Sequence, residues 1–309
     1  MNQKKSIVWQ IHDHKPGHLN QMRGLTASLG ELMPVQGFKV PAPSRWASWC
    51  ALATVRFPAG DRLPAPDLIL GAGHATHVAV LAARRACGGK AVVLMKPTLP
   101  RSLFDLCLVP RHDNVADSPN VVQTLGVLNN VIRSDHSHDR NQGLFLIGGP
   151  SSAHRWDDES MIGQIATIVE ADPSISWKLT TSRRTPESFS EKLVARDLGN
   201  LTLVSHAKTS STWVPDQLVS AGQVWVSSDS VSMVYESVTS GAAVGVLEVP
   251  CHRRGRVWAG IDELLSEGWA TRYSAWQKHK ALTPVQANLN EARRCAEIVS
   301  RRLLARKAA

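Results

Sequence analysis

Residues 134–152 read SDHSHDRNQGLFLIGGPSS. Ser134 to Gln142 carry no large apolar side chain, contribute nothing to a core, and read as a linker. Leu144–Ile147 is then an apolar run of strand length that ends in Gly148-Gly149-Pro150 and the hydroxyls of Ser151 and Ser152. A strand that starts afresh behind a polar linker divides the chain in two. The boundaries predicted from it are 1–138 for a first lobe, 139–283 for a second, and 284–309 for a terminal segment.

The same alternation extends in both directions. Before the linker, apolar runs at Ser6–Ile11, Val35–Val40, Asp67–Leu70, Ala91–Met95 and Leu106–Val109 are separated by helical stretches such as Leu19–Leu29 and His74–Ala86. Strands this continuously apolar are covered on both faces, which is the habit of parallel sheets with crossover helices. After the linker, strands are expected at Leu144–Ile147, Trp177–Thr181, Leu201–Val204, Val224–Ser227 and Val244–Val249. Helices are expected at Asp157–Glu170, Pro186–Leu198 and Ser230–Ser240. The prediction is an α/β chain of two doubly wound lobes facing a central cleft, where ligands of such sheets bind beyond the carboxyl ends of the strands. From Pro284 to Lys307, Ala292, Ala296, Val299 and Leu303 fall at helical spacing and predict a docking helix that packs back on the first lobe.

The 309 residues, 43% apolar and 20% charged, are of ordinary globular composition. No stretch approaches the roughly 18 consecutive apolar residues of a membrane helix, and the amino terminus does not resemble a signal peptide. Five scattered cysteines with no C-x-x-C pair suit a reducing cytoplasm. Of the net charge of +9, residues 1–140 supply +7, from 16 Lys and Arg against 9 Asp and Glu. Such a basic half suits an anionic membrane surface, so a peripheral place on its inner face is expected. Nucleic acid is not expected as a partner, because the basic residues lack interleaved aromatics.

The candidate residues lie at strand ends. In Asp13-His14-Lys15-Pro16-Gly17-His18, His18 suits a general base, with Asp13 to orient it or to act in its place. Gly17, Asn20 and Gln21 would face an acceptor. His12, His14 and His18 also have the composition of a metal site, but no further ligands converge on them in sequence, and no metal is expected. In the second lobe, Gly148, Gly149 and Ser151 have the composition of a phosphate cradle, without the lysine of a P-loop. Ser182, Arg183 and Arg184 place guanidinium forks beside hydroxyls at a helix start. Asp229, Ser230 and Ser232 read as a helix N-cap where free amides would meet phosphate, and Glu236 suits ribose or sugar hydroxyls.

These motifs, Asp13-x-x-Pro16-Gly17-His18-x-Asn20-Gln21, Pro66-Asp67-Leu68-Ile69-Leu70-Gly71-Ala72-Gly73, Phe104-Asp105-Leu106 with His112-Asp113, Thr124-Leu125-Gly126, Gly148-Gly149-Pro150-Ser151, Thr180 to Pro186 and Asp229 to Met233, resemble those of the mitochondrial-fission "elongated mitochondria" family over nearly the whole chain. Its bacterial members are assigned as glycosyltransferases of the GT-B fold. The resemblance implies a nucleotide-sugar donor in the second lobe and an acceptor of cell-envelope glycolipid or lipopolysaccharide type against the first. No cofactor beyond the donor substrate is implied. The chain departs from the family at His14-Lys15 before the Pro-Gly-His turn and at Leu19. A non-catalytic membrane adaptor and a nucleotide-sugar epimerase are the alternative readings.

Overall fold

A computed structural model describes residues 5–131, 138–210, 212–252, 255–283 and 289–305. In chain order the elements are β1 (Ser6–His12), α1 (Pro16–Leu32), β2 (Val35–Pro41), α2 (Arg45–Thr54), β3 (Leu68–Ala72), α3 (His77–Cys87), β4 (Lys90–Leu94), β5 (Leu106–Pro110) and β6 (Val121–Thr124). There follow β7 (Asp139–Leu146), α4 (Asp158–Ala171), β8 (Ser176–Thr180), α5 (Glu187–Ala195), β9 (Leu201–Val204), α6 (Trp213–Ser220), β10 (Ala221–Ser227), α7 (Val231–Ser240), β11 (Ala243–Leu247), α8 (Arg256–Ser266), β12 (Thr271–Arg272), α9 (Tyr273–His279) and α10 (Glu291–Val299). The chain separates into one unit of residues 1–130 with 290–309 and a second of residues 131–289. Each is a Rossmann-like, doubly wound α/β layer structure.

The first unit holds a parallel sheet in the order β2-β1-β3-β4-β5-β6, with Val8 paired to Leu68 and Ile69 to Ala91. Its strands are apolar on both faces because both are covered. One face packs Met22, Leu25 and Leu29 of α1, and the other packs Ala79, Val80 and Ala83 of α3. The carboxyl-terminal helix α10 belongs to this unit. Ala292, Cys295, Ala296 and Val299 join the α1 face of the core, while Glu291 accepts the Leu125 amide at 3.1 Å. Residues 284–288 and 306–307, inside the helix predicted from the sequence, lie outside the described residues.

The second unit repeats the layout in the order β12-β11-β10-β7-β8-β9, all parallel. Its core is aromatic, with Phe145, Trp177 and Trp225 fully buried and Trp276 edge-on to Trp225 at 5.3 Å. The polar residues Asp139–Gln142, assigned to the linker in sequence, are the largely exposed start of β7. The remainder of the predicted linker, before His138, lies outside the described residues. Among the described residues, no helix is long and apolar enough to cross a membrane.

One buried histidine makes the first unit acid-sensitive. His77 Nδ1 lies 3.2 Å from the Thr98 amide, which only donates, so Nδ1 accepts and the neutral ring carries its proton on Nε2. Nε2 is buried without a hydrogen-bond partner. Burial, more than the nearby His74 and His18, lowers its pKa to about 4 from 6.5. The unfolded chain therefore binds the extra proton first, so stability is full above pH 6.5 and falls as pH drops toward 4. The expected loss is on the order of 3 kcal/mol. Urea unfolding of wild type and His77→Gln between pH 4 and 7 tests this: the variant should show the shallower slope.

Candidate functional site

In a doubly wound sheet the loops that flank the reversal of strand order point apart and leave room for a ligand. In the second unit the chain runs β7-β8-β9 one way and then β10-β11-β12 the other, so the reversal lies between β7 and β10. The loops after β7, β8 and β10 carry the three predicted clusters, and they come together. The Asp229 carboxylate organises them: Oδ2 accepts the Gly149 amide at 2.9 Å and the Arg184 guanidinium at 2.6 Å. Arg184 also donates to the Gly149 and Pro150 carbonyls at 2.7 and 3.2 Å. Ser182 donates to the Gly148 carbonyl at 3.0 Å, and the Thr185 hydroxyl bonds the same carbonyl.

The convergence corrects the sequence reading of the glycine pair. The amides of Gly148 and Gly149 are not an open cradle, since Gly148 donates to Ser227 Oγ at 2.7 Å and Gly149 to Asp229. Glycine is needed here for close approach: a Cβ on Gly148 would lie 2.1 Å from the Asp229 carboxylate, and one on Gly149 2.2 Å from the Arg184 carbonyl. Exposed Ser151 is likewise engaged by its own loop, accepting the Ala153 and His154 amides. These residues, with Ser182 and Arg184, form the floor of the cluster.

Above this floor lies the start of α7. Ser230 is its N-cap by position, but its side chain makes no capping bond. This also differs from the sequence reading, and the neighbouring Asp229 is spent on Gly149 and Arg184. The first-turn amides of a helix have no intrahelical partner and carry a partial positive charge. Exposed Ser232 and Arg183 stand at the same loops, and Glu236 is half-buried in the second turn of α7. Two buried acceptor or donor atoms, Asp229 Oδ1 and His154 Nε2, have no hydrogen-bond partner. Burial lowers the His154 pKa, against the opposing pull of Asp229, so its ring is neutral near pH 7. A ligand hydroxyl or amide could satisfy either atom.

In the first unit the reversal lies between β1 and β3. The helix α1 begins at Pro16, not at Leu19, so Gly17 and His18 sit in its first turn. His18 Nδ1 lies 2.9 and 3.0 Å from the two Asp13 oxygens. A carboxylate only accepts, so Nδ1 carries the proton and Nε2 of the neutral ring presents its lone pair. Burial raises the Asp13 pKa, but the hydrogen bond from His18 and the charges nearby lower it further, and the net direction is down. Asp13 thus holds His18 in one tautomer.

Gly73 follows β3, at the end of the motif Pro66 to Gly73. It has φ of +84°, and a Cβ there would lie 2.3 Å from His18 Cε1. Its neighbour His74 lines a cavity of about 650 Å³ together with Asp13, Ser44, Arg45, Trp49 and Thr98. None of these but Asp13 was singled out from the sequence, since residues 44, 74 and 98 meet only through the parallel register. Asn20 is half-buried, whereas Gln21 is buried and donates to Met95 Sδ at 3.5 Å. Gln21 therefore faces the core. His12 and His14 meet edge to face, 4.7 Å between ring centres. Among the described residues, no three His, Cys, Asp or Glu side chains are grouped to hold a metal ion.

Known structures share this architecture at low identity. The UDP-GlcNAc 2-epimerase of Methanocaldococcus jannaschii aligns with a TM-score of 0.59 at 10% identity, covering 96% of this chain and 100% of that one. The epimerase of Neisseria meningitidis bound to UDP-GlcNAc aligns at 0.55 and 11%, covering 97% and 100%. The glycotransferase of kitacinnamycin aligns at 0.56 and 14%, also covering 97% and 100%. These likenesses establish the α/β, GT-B-like fold. In sequence, the uncharacterized protein RP120 of Rickettsia prowazekii (strain Madrid E) is 21% identical over 94% of this chain and 97% of its own length. The family model of mitochondrial fission ELM1 matches residues 16–303, and the chain belongs to that family.

Proposed function

We propose that the protein is a nucleotide-sugar-dependent glycosyltransferase that needs no divalent metal and acts on a lipid-linked or glycolipid acceptor of the cell envelope. The observation that carries the proposal is the Asp229 junction. It draws the ends of three adjacent strands together beneath the uncapped start of α7, a geometry that suits a diphosphate. The α7 amides, Ser230, Ser232 and Arg183 then meet the phosphates, Glu236 takes ribose or sugar hydroxyls, and Arg184 with Asp229 holds the loops. Helix amides and a guanidinium offset the charge of the leaving diphosphate, and the sequence has no D-x-D motif to bring a metal there.

On the first unit, His18 Nε2 is the general base for an acceptor hydroxyl, Asp13 is its positioning residue, and the cavity beside them takes the acceptor. Gly17 and Asn20 border that position, and the basic surface faces an anionic membrane. The enzyme would work on the cytoplasmic side, without a cofactor other than its donor.

A thermal-shift screen of nucleoside diphosphates and their sugars names the donor, since a ligand that binds only the folded state raises the melting temperature. Arg183→Ala should weaken binding of that ligand by about 1–3 kcal/mol by calorimetric titration. Unchanged affinity would refute the donor assignment. Product analysis with donor alone separates an epimerase, which releases a changed sugar nucleotide with no acceptor present. The family's link to mitochondrial fission favours a non-catalytic membrane adaptor as second reading, for which neither turnover nor nucleotide binding is expected.

A further inference from the structure

The helix α2 inverts the usual arrangement of an amphipathic helix. Its inward positions are small or polar, with Ser48 and Ala51 buried and Leu52 half-buried. Its largest apolar side chains point outward: Trp46, Trp49, Cys50 and Ala53, at i, i+3, i+4 and i+7, form one exposed stripe. Trp46 is 79% exposed, Trp49 45%, and Val55 just beyond the helix 44%. Of the six large apolar side chains exposed among the described residues, these three lie within ten positions, so the patch is concentrated and not a scatter of single residues. Leaving indoles in water forgoes much of the hydrophobic gain an aromatic side chain can make, so a stripe of this kind implies something that covers it.

The surrounding charge says what. Residues 32–60 contain Lys39, Arg45 and Arg56 and no carboxylate, and Arg62 follows. All four cations are exposed, and Asp61 is the one acidic residue beside them in sequence. Indole rings flanked by cations, on a short helix with an outward apolar face, match the interface of an anionic bilayer. The rings enter the acyl boundary, the indole N–H groups stay at headgroup level, and the guanidinium groups meet lipid phosphates. We propose that α2 is the surface by which the first unit seats on an anionic phospholipid bilayer. The inference deepens the lipid side of the function proposed above, and it rests on that reading for its consequence. Arg45 and Trp49 also line the cavity beside Asp13, so a bilayer on the stripe places that cavity wall among the headgroups, where a lipid-linked acceptor presents its polar end.

The test is cosedimentation of the full chain with extruded vesicles of phosphatidylcholine, with and without phosphatidylglycerol, at low and physiological salt. Wild type should bind only the anionic vesicles, and more weakly as salt rises. Trp46→Ser/Trp49→Ser should lower partitioning roughly tenfold or more, with its melting temperature and its nucleotide thermal shift unchanged. Trp46→Tyr/Trp49→Tyr should retain most of the binding. The proposal is overturned if wild type ignores anionic vesicles or if the double serine variant binds them as well as wild type does. It is also overturned if size-exclusion chromatography finds a dimer that the serine variant converts to monomer, because a second copy then covers the stripe. Vesicle binding without any nucleotide shift would sink the transferase reading and leave α2 standing, and the reverse result would do the opposite.

Discussion

His18→Asn is expected to lower sugar transfer by about 10²–10⁴-fold, the range contributed by a positioned general base. Nucleotide affinity should remain within about twofold, since the proposed donor residues all lie in the second unit. The expectation follows from the tautomer. With Nδ1–H bound to Asp13 at 2.9 Å, the lone pair of His18 is on Nε2, and asparagine offers no basic ring nitrogen in its place. Gly73→Ala supplies an independent arm that leaves the imidazole chemically intact. Its φ of +84° strains any L side chain, and the new methyl would occupy the space of His18 Cε1 at 2.3 Å. Turnover should fall nearly as far as in His18→Asn, again with nucleotide affinity preserved. Steady-state rates on the donor found by thermal shift decide the matter. Full activity in His18→Asn would remove His18 from the chemistry.

Asp229→Ala is expected to cost on the order of 2 kcal/mol of stability and to abolish measurable nucleotide binding. Removing one partner of a fully buried ion pair costs about 3–5 kcal/mol. Arg184 is 40% exposed and recovers part of its hydration, which lowers the figure. The Gly149 amide also loses its acceptor. The reciprocal change Arg184→Met leaves a carboxylate with no exposed side-chain surface and no counter-ion, so it should be at least as damaging. If the pair acts as one junction, the double variant Asp229→Ala/Arg184→Met will be more stable than the sum of the single losses predicts, by about 1 kcal/mol or more. Urea midpoints at constant m-value measure all three. Strict additivity would mean that the loops are held by something other than Asp229.

Much of the fold was legible because parallel strands advertise themselves. Runs such as Leu68–Leu70 and Leu144–Leu146 are buried on both faces, and every strand predicted from an apolar run has a counterpart in the two sheets. Four-residue β6 passed unread, as did α6 and α9, short helices whose character depends on packing such as that of Trp276 on Trp225, and the longer α8. The helix α2 escaped for a different reason. Periodicity assigns the apolar stripe to the core, yet in α2 that stripe faces solvent, and nothing local distinguishes Trp46 from a core tryptophan such as Trp9.

The candidate residues divide in the same way. His18 and Asp13 are five positions apart, so their pairing could be anticipated from sequence, although which ring nitrogen meets the carboxylate needed the 2.9 Å contact to Nδ1. That the candidate clusters would lie at strand ends, and that the chain would fold as two α/β halves, followed from composition and spacing alone, because burial periodicity is a local property. Whether the Gly149 amide would face a ligand or the chain itself did not follow. Its partner, Asp229, lies 80 residues away, and only the pairing of β7 with β10 brings the two within 2.9 Å. Hydrogen-bond capacity is written in the residue, whereas its partner is chosen by whatever distant segment the sheet register delivers.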